Sequence, residues 1–324
     1  MKRPLSILAA VAMATLGVVG SSSAQVFPAK PITIVVPFPP GGSTDTTTRM
    51  VAKKLSENVS QSVIIENKPG GGGISGAVSV KNAAPDGYTL YVGHVGTLAV
   101  DVHLHNKLDY DPVKDFRPIT PYMSFASFLV VPASSPAKTV AELVSYAKSK
   151  SGGLSFTSQG HGTAGQLLGE MLKAETGAPL VHIPMKGAAP AVMEVVAARA
   201  DLLFSSYISS GPFIRDGKLR MLAIASNVRS KAQPDVPTIA ELGIAGVEFE
   251  QWFGILAPAK TPEAIIRRLN QEIIKAVRSP EVENMITSQA ADVKTSTPEE
   301  FVKLIAADSD RYGKVVRRLG AKVD

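Results

Sequence analysis

The sequence predicts an α/β fold of two domains, each a parallel-rich sheet flanked by helices. Three observations carry that prediction. Strand-like and helix-like segments alternate almost throughout, which is the pattern of βαβ units. The chain has 324 residues, 45% of them hydrophobic, enough for two cores. Two distant stretches, SFASFLVVPASSPAKTVAELVSYAK and EFEQWFGILAPAKTPEAIIRRLNQEI, also repeat one order: aromatic, apolar strand, prolines, helix. A chain that makes this move at Phe128 and again at Phe253 leaves one domain and later returns to it. The expected division is a discontinuous first domain, 26–126 plus 250–324, around a continuous second one, 127–249.

Taken in order, residues 1–24 stand apart. Lys2 and Arg3 precede an uncharged apolar run and small residues at Ser22 and Ala24, the layout of a secretory signal peptide cleaved after Ala24. The apolar run is shorter than the ~20 residues a spanning helix needs. ITIVVPF then reads as a strand, TTTRMVAKKLSENV as a helix, SVIIENK as a strand, 74–84 as a helix and YTLYVG as a strand. Farther on, AELVSYAKSK, LSFTS, GQLLGEMLKAETG, LVHIP, AAPAVMEVVAARA, DLLFSS and LRMLAIAS continue the alternation. Thr139 with Glu142 has capping-box spacing, and Thr261-Pro262 and Thr297-Pro298 each set a cap residue before a first-turn proline. Ile265, Ile266, Leu269, Ile273 and Val277 fall on one helical face, which predicts packing against a sheet.

Composition excludes several function classes. Removing Lys2 and Arg3 leaves 32 basic residues against 28 acids, a net charge of +4, with the positives scattered. The pairs Lys53-Lys54, Arg267-Arg268 and Arg317-Arg318 lie in helical patterns and read as solvated faces, not as a nucleic-acid surface. The chain has no cysteine, hence no disulfide, thiolate zinc site, cysteine nucleophile or lipidated cysteine. The mature protein is expected free in an extracytoplasmic space.

Three glycine-rich loops follow strands. In IVVPFPPGGSTDTTTR, Pro37, Pro39 and Pro40 end the strand, while Gly41 and Gly42 clear side chains from the path. Ser43, Thr44 and Asp45 are cap types, so a helix begins there with unpaired N–H groups. Such donors at the carboxyl end of a parallel strand are ready to hold an anion. ENKPGGGGISGA, residues 66–77, either brings a backbone close to a neighbour or lets helices and loop pack tightly, with packing favoured. In LSFTSQGHGTAGQLLGEML, Gly160, Gly162 and Gly165 spell a dinucleotide fingerprint. No acid ends the following strand LVHIPMKG, so the motif lacks its ribose partner. What stays is a helix start with the Ser158 and Thr163 hydroxyls facing an anion.

No metal or cofactor site is expected. His103 and His105 lie two apart without further ligands. His161 with Ser158 or Thr163 could serve a secreted hydrolase, but no nucleophile-elbow frame surrounds them.

PFPPGGSTD, ENKPGGGG, DGYTL, DYDPVKDFRPI, PMKGAAPA, GKLRMLAIAS, PDVPTIAELG and WFGILAPAKTP, in that order, resemble the tripartite tricarboxylate transporter substrate-binding proteins, the Bug or TctC family. The resemblance runs from Pro31 to the C-terminus. It implies a periplasmic binding protein of the type II-like Venus-flytrap kind, non-enzymatic and monomeric, with a ligand cleft between its domains. Its partners would be a small organic anion (a mono-, di- or tricarboxylate) and membrane transporter subunits. A sensory role at a membrane kinase would use the same closed surface.

The ligand-binding residues the resemblance implies are Phe38, Gly41, Gly42, Ser43, Asp45, Thr97, Ser158, Gly162, Thr163, Lys186 and Ser205. Within this set Phe38 would cover the anion, Gly41, Gly42 and Ser43 would offer N–H donors, and Asp45 would organise the loop, since a bare carboxylate would repel the ligand. Two positions depart from the family pattern: Met185 stands for a tyrosine and Ser205 for an acid. Both are expected near the distal end of the ligand. Lys186 pairs either with the ligand or with an acid of its own domain. Trp252, the only tryptophan, is expected in the core.

Overall fold

The computed structural model describes residues 27–322, so the expected signal segment lies outside the described residues. Within them the chain forms two mixed sheets. The first holds β1 (Ile32–Val36), β2 (Val63–Asn67), β3 (Thr89–His94), β4 (Phe116–Phe125), β10 (Gln251–Pro258) and β11 (Ala291–Val293). Their order is β11-β4-β10-β3-β1-β2. The second holds β5 (Phe128–Pro132), β6 (Leu154–Ser158), β7 (Leu180–Pro184), β8 (Leu202–Ser205) and β9 (Leu219–Ile224), in the order β7-β6-β8-β5-β9.

The two sheets share one plan. β1 runs parallel to β2 and β3, and β10 runs antiparallel to β3 and β4. In the second sheet β6 runs parallel to β7 and β8, and β5 runs antiparallel to β8 and β9. Laid on one another, β10 matches β5 and β4 matches β9, with β11 an addition. The two look-alike stretches therefore occupy equivalent places, which explains their likeness. It also explains why the sheets are mixed: the βαβ units supply the parallel pairs, and the crossing strands run against them.

Helices α1 (Ser43–Val59), α2 (Ile74–Lys81), α8 (Glu263–Val277), α9 (Pro280–Ser288) and α10 (Pro298–Leu319) accompany the first sheet, with the short α3 (Asp101–Leu104) after β3. Helices α4 (Val140–Ser149), α5 (Ala164–Thr176), α6 (Ala188–Val196) and α7 (Tyr207–Arg215) accompany the second. Helix α8 buries Ile266, Leu269, Ile273 and Val277, as its spacing predicts, in a core shared with β1, β3 and β4. A second core joins the sheets: Tyr91 and Trp252 belong to one cluster with Leu129, Phe156 and Phe204, closed over by Phe301, Ile305 and Tyr312 of α10.

Two helix starts follow the predicted chemistry and one does not. Thr297 and Glu300 form a reciprocal capping box at α10, and the Thr139 hydroxyl accepts from the Glu142 amide at α4. Thr261 does not cap α8, which begins at Glu263 after Pro262; its buried hydroxyl has no partner among the described residues.

Candidate functional site

Because the sheets share a plan, the loops that leave their parallel strands come in equivalent pairs. The β1–α1 loop matches the β6–α5 loop, β2–α2 matches β7–α6, and the turn after β3 matches the β8–α7 junction. All six meet between the domains, at the carboxyl ends of the strands, where open α/β sheets place ligands.

They meet at glycines, which leave room for backbone or side chain of the facing loop. A Cβ added to Gly72 would stand 2.1 Å from the carbonyl oxygen of His161, and one on Gly162 would stand 1.9 Å from Asp101 Oδ1. A Cβ on Gly187 would meet Pro39 Cδ at 2.7 Å, whereas one on Gly42 would meet Ala188 Cβ at 3.4 Å, an ordinary contact. The four-glycine cluster thus packs tightly, as its composition predicts, and what it packs on is the opposite domain. Gly72 has φ +66, a conformation that side chains resist.

Among the same loops lies a cavity of about 40 Å³. Its walls include Phe38, Ser43, Thr44, His94, Thr163, Ala164, Ala188, Ser206, Gln251 and Trp252. The first turns of α1, α5 and α6 and the cap residue of α7 therefore border one space. The first N–H groups of a helix have no acceptor inside it, and its N-terminus carries partial positive charge. Among the described residues, no Asp, Glu, Lys or Arg lines the cavity. Its polarity comes from backbone dipoles, hydroxyls, amides and one imidazole.

That imidazole is neutral. Burial lowers the His94 pKa to about 4, although a bond to the Gly72 carbonyl opposes the shift. Its Nδ1 accepts from the Gly96 amide at 3.1 Å, so Nε2 carries the proton and donates to Gly72 O at 3.1 Å. Phe38 leans on the same ring, with centroids 5.1 Å apart.

The structure divides the predicted residues. Phe38, Ser43 and Thr163 line the cavity, and Gly42 faces Ala188 beside it. Asp45 organises the loop: it accepts from the Gly41 amide at 3.0 Å, from Arg49 Nε at 3.0 Å and from Asn67 Nδ2 at 2.9 Å. Burial alone would raise its carboxyl, but the bonds from Arg49, Asn67 and Gly41 outweigh burial and hold it below the usual range. Gly41 is correspondingly committed to Asp45 and is not a donor at the cavity.

Other predicted residues are engaged within their own domain. The Ser158 and Thr163 hydroxyls both donate to Gly160 O, at 3.0 and 2.7 Å, and close their own loop. Ser158 Oγ also lies 2.7 Å from His182 Nε2, so its imidazole neighbour is His182 and not His161. The Gly162 amide donates to Gln166 Oε1 at 2.8 Å. Thr97 is buried with its hydroxyl between Tyr91 OH and the His94 carbonyl. Ser205 is buried and donates to the Ser206 carbonyl; the hydroxyl at the cavity belongs to Ser206, one residue on.

Residues not singled out from the sequence complete the walls: His94, Gln159, Ala188, Ser206 and Gln251. The Ser209 hydroxyl accepts from the Ser43 amide at 3.1 Å. The spare serine in SSYISS was the available signal for Ser206 and Ser209. Trp252 is buried as expected, donates to Asp308 Oδ2 at 2.7 Å, and forms part of the cavity wall. Lys186 is exposed and makes no salt bridge among the described residues.

Two domains that close face to face over a small cavity edged by helix N-termini define a solute-binding receptor. The chain belongs to the Tripartite tricarboxylate transporter family receptor family, TctC, whose sequence profile matches residues 47–321. It is 36% identical to the UPF0065 protein in the tcbD-tcbE intergenic region of Pseudomonas sp. (strain P51), over 96% of this chain and 93% of that one. It is 34% identical to the protein BugT of Bordetella pertussis (strain Tohama I), over 100% of this chain and 99% of that one. Among solved structures, an R. palustris protein with adipate superposes with a TM-score of 0.89 at 32% identity, covering 92% of this chain and 100% of that one. MatC from Rhodopseudomonas palustris with bound malate superposes with a TM-score of 0.86 at 33% identity, covering 90% and 100%.

Proposed function

We propose that this chain is a non-enzymatic periplasmic receptor that captures a small organic carboxylate and delivers it to the membrane subunits of a tripartite tricarboxylate-type transporter. The observation that carries the reading is the cavity bordered by the starts of α1, α5, α6 and α7 without an acidic side chain. Helix N-termini attract a carboxylate, and a lining without acids does not repel it. The volume fits a carboxylate head and a few water-sized groups. The solved relatives with adipate and malate support the same ligand class.

In this reading residues 26–126 plus 250–324 move as one body and 127–249 as the other, and residues 1–24 direct export. A ligand that touches both bodies only when they are closed shifts the equilibrium toward closure in proportion to that preference. Delivery to a transporter, in preference to a kinase, follows the family's description. The hydrolase alternative has little support in the geometry. Ser158 is fully buried and tied to Gly160, and His161 is exposed.

The test is thermal unfolding of mature protein, stripped of ligand by unfolding and refolding, against mono-, di- and tricarboxylates, aromatic acids and amino acids. A ligand at 100 times its Kd adds about 2.7 kcal/mol. A shift with one carboxylate class, with the acid recovered chemically unchanged, supports the reading. No shift from protein that still unfolds cooperatively, or conversion of the acid, overturns it.

A further inference from the structure

Asp101 opens α3, and its side chain reaches the boundary between the two domains. The residue is 1% exposed, and a Cβ on Gly162 of the β6–α5 loop would stand 1.9 Å from Oδ1. The second domain thus turns a glycine Cα–H toward this oxygen, a weak donor. The Gly162 amide is committed to Gln166 Oε1 at 2.8 Å, and Oδ1 has no hydrogen-bond partner among the described residues. Oδ2 is little better served. Tyr110 has one hydroxyl hydrogen and two acceptors in reach, the Thr97 carbonyl at 2.7 Å and Oδ2 at 3.4 Å. The shorter contact takes the larger share. An ionised carboxyl in this setting has lost its water with little in return, a cost that a neutral carboxyl largely escapes. A neutral one also gains a hydrogen to donate to the Tyr110 oxygen. Burial accordingly pushes this carboxyl well above the usual carboxylate range.

The titratable and charged groups around Asp101 are engaged elsewhere. Burial raises the phenols of Tyr91 and Tyr110, so both are neutral. His103 of α3 turns to Ser309 of α10 at 3.0 Å, while Asp308 and Tyr312 of α10 bond to Trp252 and to the Glu250 carbonyl. The lysines and arginines of α10 are exposed. On the segment leading to Tyr110, Lys107 and Asp109 are exposed and His105 is half-buried. His94 is bonded to Gly72 and Gly96, and His161, beside Gly162, meets the His182 ring at 5.5 Å. Burial and the Tyr110 bond are what move the Asp101 carboxyl.

We infer that closing the domains binds a proton at Asp101, so that a captured acid is held more tightly as pH falls and let go more readily as pH rises. This coupling rests on the reading of a closing receptor and adds its regulation. Parting the domains takes Gly162 away and lets water reach Oδ1, while Tyr110 and Thr97 stay with Asp101 in their own domain. The open carboxyl keeps part of its burial; the closed one has all of it. The closed form therefore holds the proton more tightly, and raising pH through the interval between the two titration points favours opening. Each pH unit of that interval is worth about a tenfold change in the closing equilibrium.

The test needs no ligand. Gly42 and Ala188 belong to different domains, with a Cβ on Gly42 placed 3.4 Å from Ala188 Cβ, beside the span of about 3.5–4.5 Å that a disulfide bridges. The chain has no cysteine to compete. The double variant Gly42→Cys, Ala188→Cys is locked shut by oxidation and released by reduction, with X-ray scattering to report compactness. The Asp101 carboxyl carbon is followed by NMR across pH in both forms, its signal assigned by its loss in Asp101→Asn. The expected result is a titration point about one pH unit or more higher in the locked form. Equal titration points in two forms that differ in compactness overturn the coupling and leave the receptor standing. Forms that differ in neither respect overturn the two-body motion on which both readings rest. Calorimetry of the parent with adipate, in buffers of different ionisation enthalpy, serves if the cysteine pair does not close. The parent should then take up more protons on binding than Asp101→Asn, by up to about one per molecule, and equal proton counts at every pH overturn the coupling.

Discussion

The Ser43 amide, in the first turn of α1, donates to the Ser209 hydroxyl in the first turn of α7 at 3.1 Å. The two residues belong to different sheets' helices, so the bond exists only while the domains are together. Ser209→Ala removes one hydrogen bond of the closed form, worth about 0.5–1.5 kcal/mol. Ligand affinity should fall about twofold to tenfold by calorimetry. Unfolding of the ligand-free protein should stay within about 0.5 kcal/mol of the parent.

Gly42 and Gly72 separate two kinds of glycine. Gly42→Ala adds a Cβ at 3.4 Å from Ala188 Cβ with ordinary backbone angles, and binding should persist within about threefold. Gly72→Ala places a Cβ 2.1 Å from the His161 carbonyl and forces φ +66 on alanine. Left-handed backbone alone costs about 1–2 kcal/mol. The clash adds to this, so ligand binding should weaken at least about a hundredfold while circular dichroism shows an intact fold. X-ray scattering of Gly72→Ala should show no compaction when the acid is added.

Asp101 carries a stability cost that depends on pH. Asp101 is 1% exposed, Oδ1 has no hydrogen-bond partner among the described residues, and burial pushes its pKa well above the usual carboxylate value, with a bond from Tyr110 opposing. The folded protein therefore holds this proton more tightly than the unfolded chain. Stability from this group is fully present below the unfolded value near 4 and is lost as pH rises through the folded value. Asp101→Asn has no such loss. Its advantage over the parent in urea unfolding should grow by about 1–3 kcal/mol between pH 4.5 and pH 8.

His94 and His182 act in the opposite sense. Burial lowers both to about 4, and for His182 the neighbouring His161 adds to the effect. The unfolded chain takes up these protons from about pH 6.5 downward. Stability from the neutral imidazoles is present above that value and is lost as pH falls through the folded value. The stability difference between the parent and His182→Gln should shrink as pH drops from 6.5 to 4, followed by chemical unfolding at fixed ionic strength.

What the sequence disclosed follows the range of the interaction. Thr297 with Glu300 and Thr139 with Glu142 are local devices, and they sit where their spacing says. PFPPGGS marks a helix start at a strand end, and the cavity wall includes that start. The likeness around Phe128 and Phe253 marks equivalent strands, because the same packing problem was solved twice. Thr97 and Ser158 look from the sequence like ready hydroxyls, yet both bond within their own domain. Ser205 and Ser206 differ by one residue, and only the last turn of the β8 strand decides which faces the cleft. Asp101 and Gly162 lie 61 positions apart, and no local pattern announces their contact.

The glycine contacts also bear on how much ligand affinity the closing motion consumes. Surfaces that meet through long side chains must freeze rotamers when they come together, at about 0.5–1.5 kcal/mol for each immobilised chain. Gly42, Gly72, Gly162 and Gly187 have no rotamers to freeze. The jaws can therefore shut at a low entropic cost, leaving more of the attraction at the helix starts to appear as affinity for the captured acid.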